Sequence, residues 1–247
     1  MSPGGARAHL APAYVLHHLP YRETSRILEV LTRDHGRLTL FARGARGPKS
    51  KLSALLQPFR LLSVSWSGRG EAPQLTGAEA APSVSIAALS PSDLMAGFYL
   101  NELLMRLTSR HDPHPQLFDD YHETLEGLKG GAAVAPALRV FEKHLLEQIG
   151  YGLDLDAEAF TGHRVSAGEH YLYRPAQGLI AASPEMPGAL AGSSVLSLAA
   201  ERFSSAAELE DARRLLRLAL DHCLEGRELR TRAVARAIAH RTPELRR

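Results

Sequence analysis

The hydrophobic period of this chain changes near residue 81, and that change limits the fold more than any other feature. From Ala13 to Ala80 the apolar residues come in short β-branched or alternating runs: "AYVLHHL", "RILEVLT", "RLTLFAR", "FRLLSVSW" and "PQLTGAEA". Five such runs in about 70 residues predict a small closed or nearly closed barrel. The connections fit this. "DHG" at 34–36 suits a tight hairpin, and "SGRGE" at 67–71 supplies two glycines for a second one. Gly44, Gly47 and Pro48 cannot continue a ladder, so a strand must end just before them.

Beyond residue 81 the apolar residues recur at helical spacing. "SPSDLMAGFYLNELLMRLT" opens with Ser90, Pro91 and Asp93 as cap, first-turn proline and capping-box acid, and it sets Leu94, Met95, Phe98, Leu103, Leu104 and Leu107 along a predicted helix. Further helices are predicted at about 114–129, at 136–149 with Gly150 as the stop, and at 205–224 behind the capping pair Ser205 and Glu208. Between the last two lies a Gly/Pro-rich section, 150–203, in which "HYLYRP" and "GLIAAS" predict a small hairpin. The fold class is therefore α+β: a barrel domain over 1–81, then a helical domain over 82–247 with an irregular section at about 150–203. The first ten or so residues read as a loose tail.

Charge is divided as unevenly as periodicity. Residues 1–80 carry 11 Lys+Arg against 5 Asp+Glu, and residues 81–247 carry 18 against 22, although the whole chain of 247 residues is only +2. A polyanion would therefore meet the N-terminal third. The single cysteine, Cys223, excludes an intrachain disulfide and any zinc site built on several thiolates, which predicts a reducing, cytoplasmic setting. No apolar run approaches the roughly 18 residues of a membrane span. Pro12, His17 and His18 interrupt the first apolar stretch, unlike a secretory signal.

The basic residues concentrate around "FARGARGPKSKL" at 41–52. Its "GPKS" resembles the end of a phosphate-cradling P-loop, but Pro48 and Arg43 occupy the two glycine places, and proline has no N–H to offer a phosphate. Arg37, Arg43, Arg46, Lys49 and Lys51 fall within 15 residues without an acid, and Arg22, Arg26 and Arg33 lie on the preceding segments. Alternation along "RLTLFAR" sets Leu38 and Leu40 on one face and Arg37, Thr39, Phe41 and Arg43 on the other. An aromatic among arginines can stack a base while the charges neutralise phosphates, or Phe41 can fill core or a domain interface while the charges are merely solvated. Nucleic acid is the favoured ligand of the cluster, with Arg46, Lys49 and Lys51 carried on a flexible basic loop.

Other chemistry finds no anchor. Asp154, Asp156, Glu158, His163 and His170 lack the H-E-x-x-H spacing and read as solvated loop residues; no G-x-S-x-G elbow occurs; and Cys223 lies in an apolar helical pattern. No catalytic, cofactor or metal site is expected, and the chain is read as a non-enzyme. The last segment, "EGRELRTRAVARAIAHRTPELRR", carries seven arginines against three glutamates and sets Arg232, Arg236 and His240 at i, i+4 spacing, a basic stripe that reads as a solvated helix face or a second phosphate contact.

"YVLHHLPYRETSRILEVLT", "HGRLTLFARGARGPKSKL", "LLQPF", "GRGE", "FYLNELLMRL" and "FEKHLLEQIGYGLDL", in this order from about Tyr14 to Asp156, resemble the bacterial RecO family of recombination mediators. The resemblance implies an N-terminal OB-fold and a helical domain. It implies binding of single- and double-stranded DNA, annealing of complementary strands, and action with RecR to load RecA onto strands coated by single-stranded-DNA-binding protein (SSB), in a cytoplasmic, nucleoid-associated setting. By position in the matching motifs, Arg37, Arg43, Arg46, Lys49 and Lys51 would contact DNA, with Arg22, Arg26 and Phe41 beside them. In this family the helical domain meets the acidic, apolar SSB tail, and Arg139, Phe141 and Lys143 are candidates because such a peptide wants a cation beside a greasy groove. Many members carry a four-cysteine zinc site soon after the "GYG" motif. Here that region has no cysteine, so packing of the 150–203 section against the helices must replace it. An OB-fold RNA-binding accessory protein is the alternative reading, and a preference for RNA over DNA would separate the two.

Overall fold

Alternation in the N-terminal runs closes a five-stranded barrel. Its strands are β1 (Ala6–Tyr21), β2 (Ser25–Thr32), β3 (Gly36–Ala42), β4 (Leu61–Gly68) and β5 (Gln74–Ala80). They are joined in the order β1-β2-β3-β5-β4 and back to β1, antiparallel except where Phe41 pairs in parallel with Gln74. This is an OB-fold. The computed structural model describes residues 6–47, 50–81, 89–91 and 93–241. The chain divides into two compact units, Met1–Lys129 and Gly130–Arg247.

Closure depends on β1, which pairs with β4 through Ala6–Tyr14 and with β2 through Ala13–Tyr21. Register breaks at Ala8/Ala11 and Val15/His17 bend it between the two partners. At the first break Leu10 takes φ +52 and its N–H donates to Ser65 Oγ at 3.0 Å. Arg7 and Ala8 already pair with Ser67 and Trp66. The expected loose tail is thus corrected from residue 6 onward, because β4 is long enough to offer ladder partners there.

Inside the barrel lie Ala13, Val15, Leu28, Val30, Leu38, Leu40, Leu62, Val64 and Trp66. Each Leu or Val contributes about 1.5–3 kcal/mol by leaving water, and a one-residue slip would turn a whole strand's set outward. The β2–β3 hairpin demands Gly36 twice over: its φ is +67, and a Cβ there would lie 2.3 Å from the Asp112 carbonyl oxygen. A short helix absent from the sequence reading, α1 (Lys51–Leu55), packs Leu52 and Leu55 on the barrel core.

The first unit also contains α2 (Leu94–Leu107) and α3 (Pro115–Lys129), which cover part of the outer barrel surface. Tyr14 packs its ring on Phe118 and, edge-on, on Tyr121; Tyr121 O–H donates to Asn101 Oδ1, and Asn101 Nδ2 donates to the Leu16 carbonyl at 2.8 Å. Every polar group in this seam has a partner, as burial requires. The buried face of α2 is Ala96, Gly97, Leu100, Asn101, Leu103 and Leu104, whereas Leu94 and Phe98 of the expected stripe are exposed. The cause is close approach. A Cβ on Gly97 would come within 2.8 Å of Leu89 and Phe59, so the small residues turn inward and Phe98 moves to the edge against the Phe59 ring.

The second unit contains α4 (Val134–Gln148), the sheet β7-β6-β8 formed by β6 (His170–Arg174), β7 (Gly178–Ala182) and β8 (Leu190–Ala191), and the helices α5 (Gly192–Ala199), α6 (Ala206–Cys223) and α7 (Arg230–Arg241). The expected β6–β7 hairpin is present, whereas β8 and α5 had no sequence signal strong enough to read. At α6 the Ser205 side chain accepts from Glu208 N–H, and the Glu208 carboxylate answers by accepting from Ser204 N–H and Oγ.

Within 150–203, Val165 N–H donates to Asp156, Glu158 N–H to His163 and Ala159 N–H to Leu179, while Ser166 N–H donates to the Tyr171 hydroxyl. Asp211 of α6 accepts from Ala191 N–H and pairs with Arg214, which donates to the Ala189 carbonyl. These bonds, over buried Leu155, Val165, Tyr171, Leu179 and Leu198, organise a section that has no cysteine to offer a metal. Among the described residues, no group of three His, Cys, Asp or Glu is placed to hold a metal ion, and no helix is long and apolar enough to cross a membrane.

Candidate nucleic-acid interface

Two turns build one rim of the barrel, the β1–β2 connection at 21–25 and the segment that leaves β3 at 43–47. Ala45 is fully buried in the barrel core, Arg46 N–H donates to the Thr24 carbonyl at 2.9 Å, and Arg46 Nη1 donates to the Arg22 carbonyl at 3.1 Å. Ser50 N–H then returns to the Gly47 carbonyl. The expected flexible loop is therefore, over 43–47, a pinned turn whose buried alanine leaves Arg43 and Arg46 exposed on either side. Gly44 allows it by taking φ +68. Lys51 follows as an exposed residue at the start of α1, and Lys49 lies outside the described residues.

On the same rim Phe41 meets the edge of the Tyr21 ring at 5.6 Å, and the Arg22 guanidinium sits 5.3 Å from the Tyr21 ring centroid. Tyr21 is 38% exposed and Phe41 is half-buried, so one ring is supported by the other and still presents surface to solvent. Tyr21 was not singled out from sequence, although its place next to Arg22 in the "YRET" turn was the available signal. The rim thus gathers Tyr21, Arg22, Phe41, Arg43 and Arg46: apolar faces for a base and cations for its phosphates.

Arg26 and Arg37 are placed elsewhere. Arg26 alternates with Leu28 and Val30, between the cross-strand partners Pro20 and Ala42, so it points toward the barrel mouth, where Nη2 donates to Ser53 Oγ of α1 and buried Nη1 has no partner. The side chain of Arg37 is only 12% exposed. Its guanidinium donates to Glu29 Oε2 at 2.9 Å, to the Thr108 carbonyl at 2.8 Å and to Thr108 Oγ1 at 3.3 Å. Glu29 also accepts from Thr39 and Arg110. Burial would raise the Glu29 carboxyl, but donation from Arg110 and Thr39 and the charges of Arg110 and Arg37 hold it below its ordinary range. An acid on the outer β2–β3 surface is thereby neutralised. The register that joins them pairs Glu29 with Thr39 and Leu31 with Arg37, a cross-strand relation that periodicity alone does not reveal.

The helical candidates do not form an open groove. Phe141 is fully buried, and Arg139 is buried beside Glu142 with Nη2 2.8 Å from its carboxylate. Lys143 is held by Glu201 at 2.5 Å, and His144 reaches the same carboxylate at 2.8 Å. Of the SSB-tail candidates Arg139, Phe141 and Lys143, the i, i+2, i+4 spacing does not keep Phe141 on the face of the two cations, and the helix turns its ring into the core. Cys223 is half-buried, and burial pushes its thiol up.

Residues 7–84 match the family described as "Recombination protein O N terminal", and residues 89–233 match "Recombination protein O C terminal". Among curated proteins, the "DNA repair protein RecO" of Methylococcus capsulatus is 45% identical over 232 residues, covering 94% of this chain and 95% of the relative. Its namesake in Ralstonia nicotianae is 43% identical over 231 residues, covering 92% and 84%. That of Thiobacillus denitrificans is 40% identical over 247 residues, covering 96% and 95%.

Proposed function

The chain belongs to the RecO family of DNA repair and recombination proteins, and from that premise we propose that it binds single- and double-stranded DNA at the barrel rim and anneals complementary strands. With RecR, it then helps load RecA onto SSB-coated strands. It acts by binding, without turnover. The observation that carries this reading is the rim itself, where Arg22 lies over Tyr21 of the Tyr21–Phe41 ring pair and exposed Arg43 and Arg46 stand on a turn pinned to the β1–β2 connection by the Arg46 hydrogen bonds.

The chemistry of annealing is electrostatic. Two strands repel through their phosphates, and cations that neutralise both without reading base edges lower the cost of their meeting. Rings that stack on any base hold a strand regardless of sequence. Arg37 serves this surface indirectly, by cancelling the Glu29 carboxylate that a phosphate would otherwise meet. Contact with the SSB tail remains part of the proposed function, on a surface other than the Arg139–Lys143 turn of α4.

The test is annealing of SSB-coated complementary oligonucleotides by the wild-type protein and by an Arg22→Ala/Arg43→Ala/Arg46→Ala variant. The expected outcome is rapid pairing by the wild type and strongly slowed pairing by the variant. No acceleration by the wild type at low salt, or stronger binding to RNA than to DNA of equal length, would refute the assignment.

A further inference from the structure

We propose that the cleft between the end of α6 and the first turns of α7 is a second strand-binding surface, taking the sugar–phosphate backbone of DNA. The inference rests on the annealing function above and deepens it by naming where the other strand is held.

The cleft has a volume of about 260 Å³, and its charged lining is Arg217, Arg227, Arg232 and Arg236 with Asp221 and Glu228. Asp221 is divided between two guanidiniums: it pairs closely with Arg232 and lies 3.6 Å from Arg217, beyond a good hydrogen bond. Arg227 has its nearest carboxylate, Glu225, at 3.8 Å, and Arg236 pairs with Glu228. The side chains of Arg217, Arg227 and Arg236 are 52%, 51% and 57% exposed. Exposed pairs of this kind are worth little, so a phosphate can replace the carboxylates at small cost.

Glu225, 82% exposed, stands outside the lining, within which four guanidiniums against two carboxylates leave a formal +2. That is too little to concentrate a multiply charged metabolite, and it suits two monoanionic phosphodiesters bound through planar forks. Spacing agrees. Arg232 and Arg236 are one turn apart on α7, a rise of about 6 Å, close to the roughly 6.8 Å along the axis between alternate phosphates of one DNA strand. The apolar residues of the cleft, Leu224 and Leu229, are both 1% exposed, so it offers no greasy socket for a peptide side chain. A polyanionic backbone fits, and an apolar acidic tail does not. The surface belongs to the second unit and the barrel rim to the first, so each unit would carry its own strand contact.

The test uses the full chain with Arg217→Gln, Arg227→Gln and Arg236→Gln together, keeping Arg232 because its pair with Asp221 ties α7 to α6. Titration with a fluorescent 12-nucleotide oligonucleotide is expected to give two strands per protein for the wild type and one for the variant. Annealing of bare complementary strands is expected to slow about tenfold or more, since two phosphate contacts at 0.1 M salt correspond to roughly 25-fold in affinity. Unchanged stoichiometry and rate would overturn the inference. Should the variant fail to fold, photocrosslinking of a bromouracil-containing strand to the wild-type protein decides: adducts within 217–236 support the surface, and adducts confined to the barrel refute it. The rim variant keeps the two failures apart. If it still takes two strands, the barrel assignment fails; if it takes fewer than two while the α6–α7 variant still takes two, only this inference fails.

Discussion

Replacing Arg37 by Ala separates a structural arginine from a DNA contact. The change removes an ion pair to Glu29 and a charged donor to the Thr108 carbonyl, both in a setting where the Arg37 side chain is 12% exposed. A hydrogen bond to a charged group is worth about 1.5–3 kcal/mol, and breaking a buried pair costs about 3–5 kcal/mol. Glu29 keeps Arg110 and Thr39, which moderates the penalty. The expected loss is therefore about 3 kcal/mol, or a fall in Tm of roughly 10 °C if the first unit unfolds as one cooperative block. Urea unfolding followed by Trp66 fluorescence would read it, because Trp66 is in the barrel core. The salt dependence of DNA binding should stay the same, since no phosphate contact is lost. Arg37→Lys should fall between, keeping the charge but not the fork. Near-wild-type stability together with a salt slope reduced by about 0.7 would mean that Arg37 faces DNA and that its network with Glu29 and Thr108 is of no consequence.

The Gly36→Ala variant should lose about 2 kcal/mol or more, because a side chain at φ +67 also meets the Asp112 backbone at 2.3 Å; a change below half of that in urea midpoint would contradict the hairpin geometry. Glu29 titrates below its ordinary range, so its stabilisation is present above the unfolded carboxyl pKa of about 4.3 and is lost as pH falls through the lower folded value. A Glu29→Gln variant should accordingly be less stable than wild type at neutral pH and show a shallower decline between about pH 4.5 and pH 3, followed by urea midpoints across that range. Phe41→Ala should weaken single-strand binding by about 1–3 kcal/mol while leaving the salt slope intact, measured by fluorescence anisotropy at several salt concentrations.

What could be read from the sequence follows period and punctuation. Each of the five barrel strands contains one of the β-branched or alternating runs, although β1 extends N-terminally to Ala6 beyond its run, and the β2–β3 and β4–β5 hairpins occur where "DHG" and "SGRGE" lie. Features set by tertiary partners were not readable. The face of α2 is decided by Gly97 closing on Phe59 and Leu89, which a stripe of large apolar residues does not announce. The fates of the arginines differ for the same reason. Arg43 and Arg46 flank an alanine that the core needs, while Arg37 and Arg26 are claimed by Glu29 and Ser53, partners known only once register and the position of α1 are known. In α4, Arg139 finds Glu142 one turn on and is buried with it, so a pattern of cation beside aromatic produced no open groove.

Arg22, Arg43 and Arg46 on the barrel rim are proposed to neutralise DNA phosphates. The most direct test of this proposal is the slope of log binding constant against log salt for single-stranded DNA, compared between wild type and the Arg22→Ala/Arg43→Ala/Arg46→Ala variant. Three lost contacts should reduce the slope by about 2 and the affinity at 0.1 M salt by roughly a hundredfold, about 2.9 kcal/mol. A variant that folds normally and keeps the wild-type slope would contradict it.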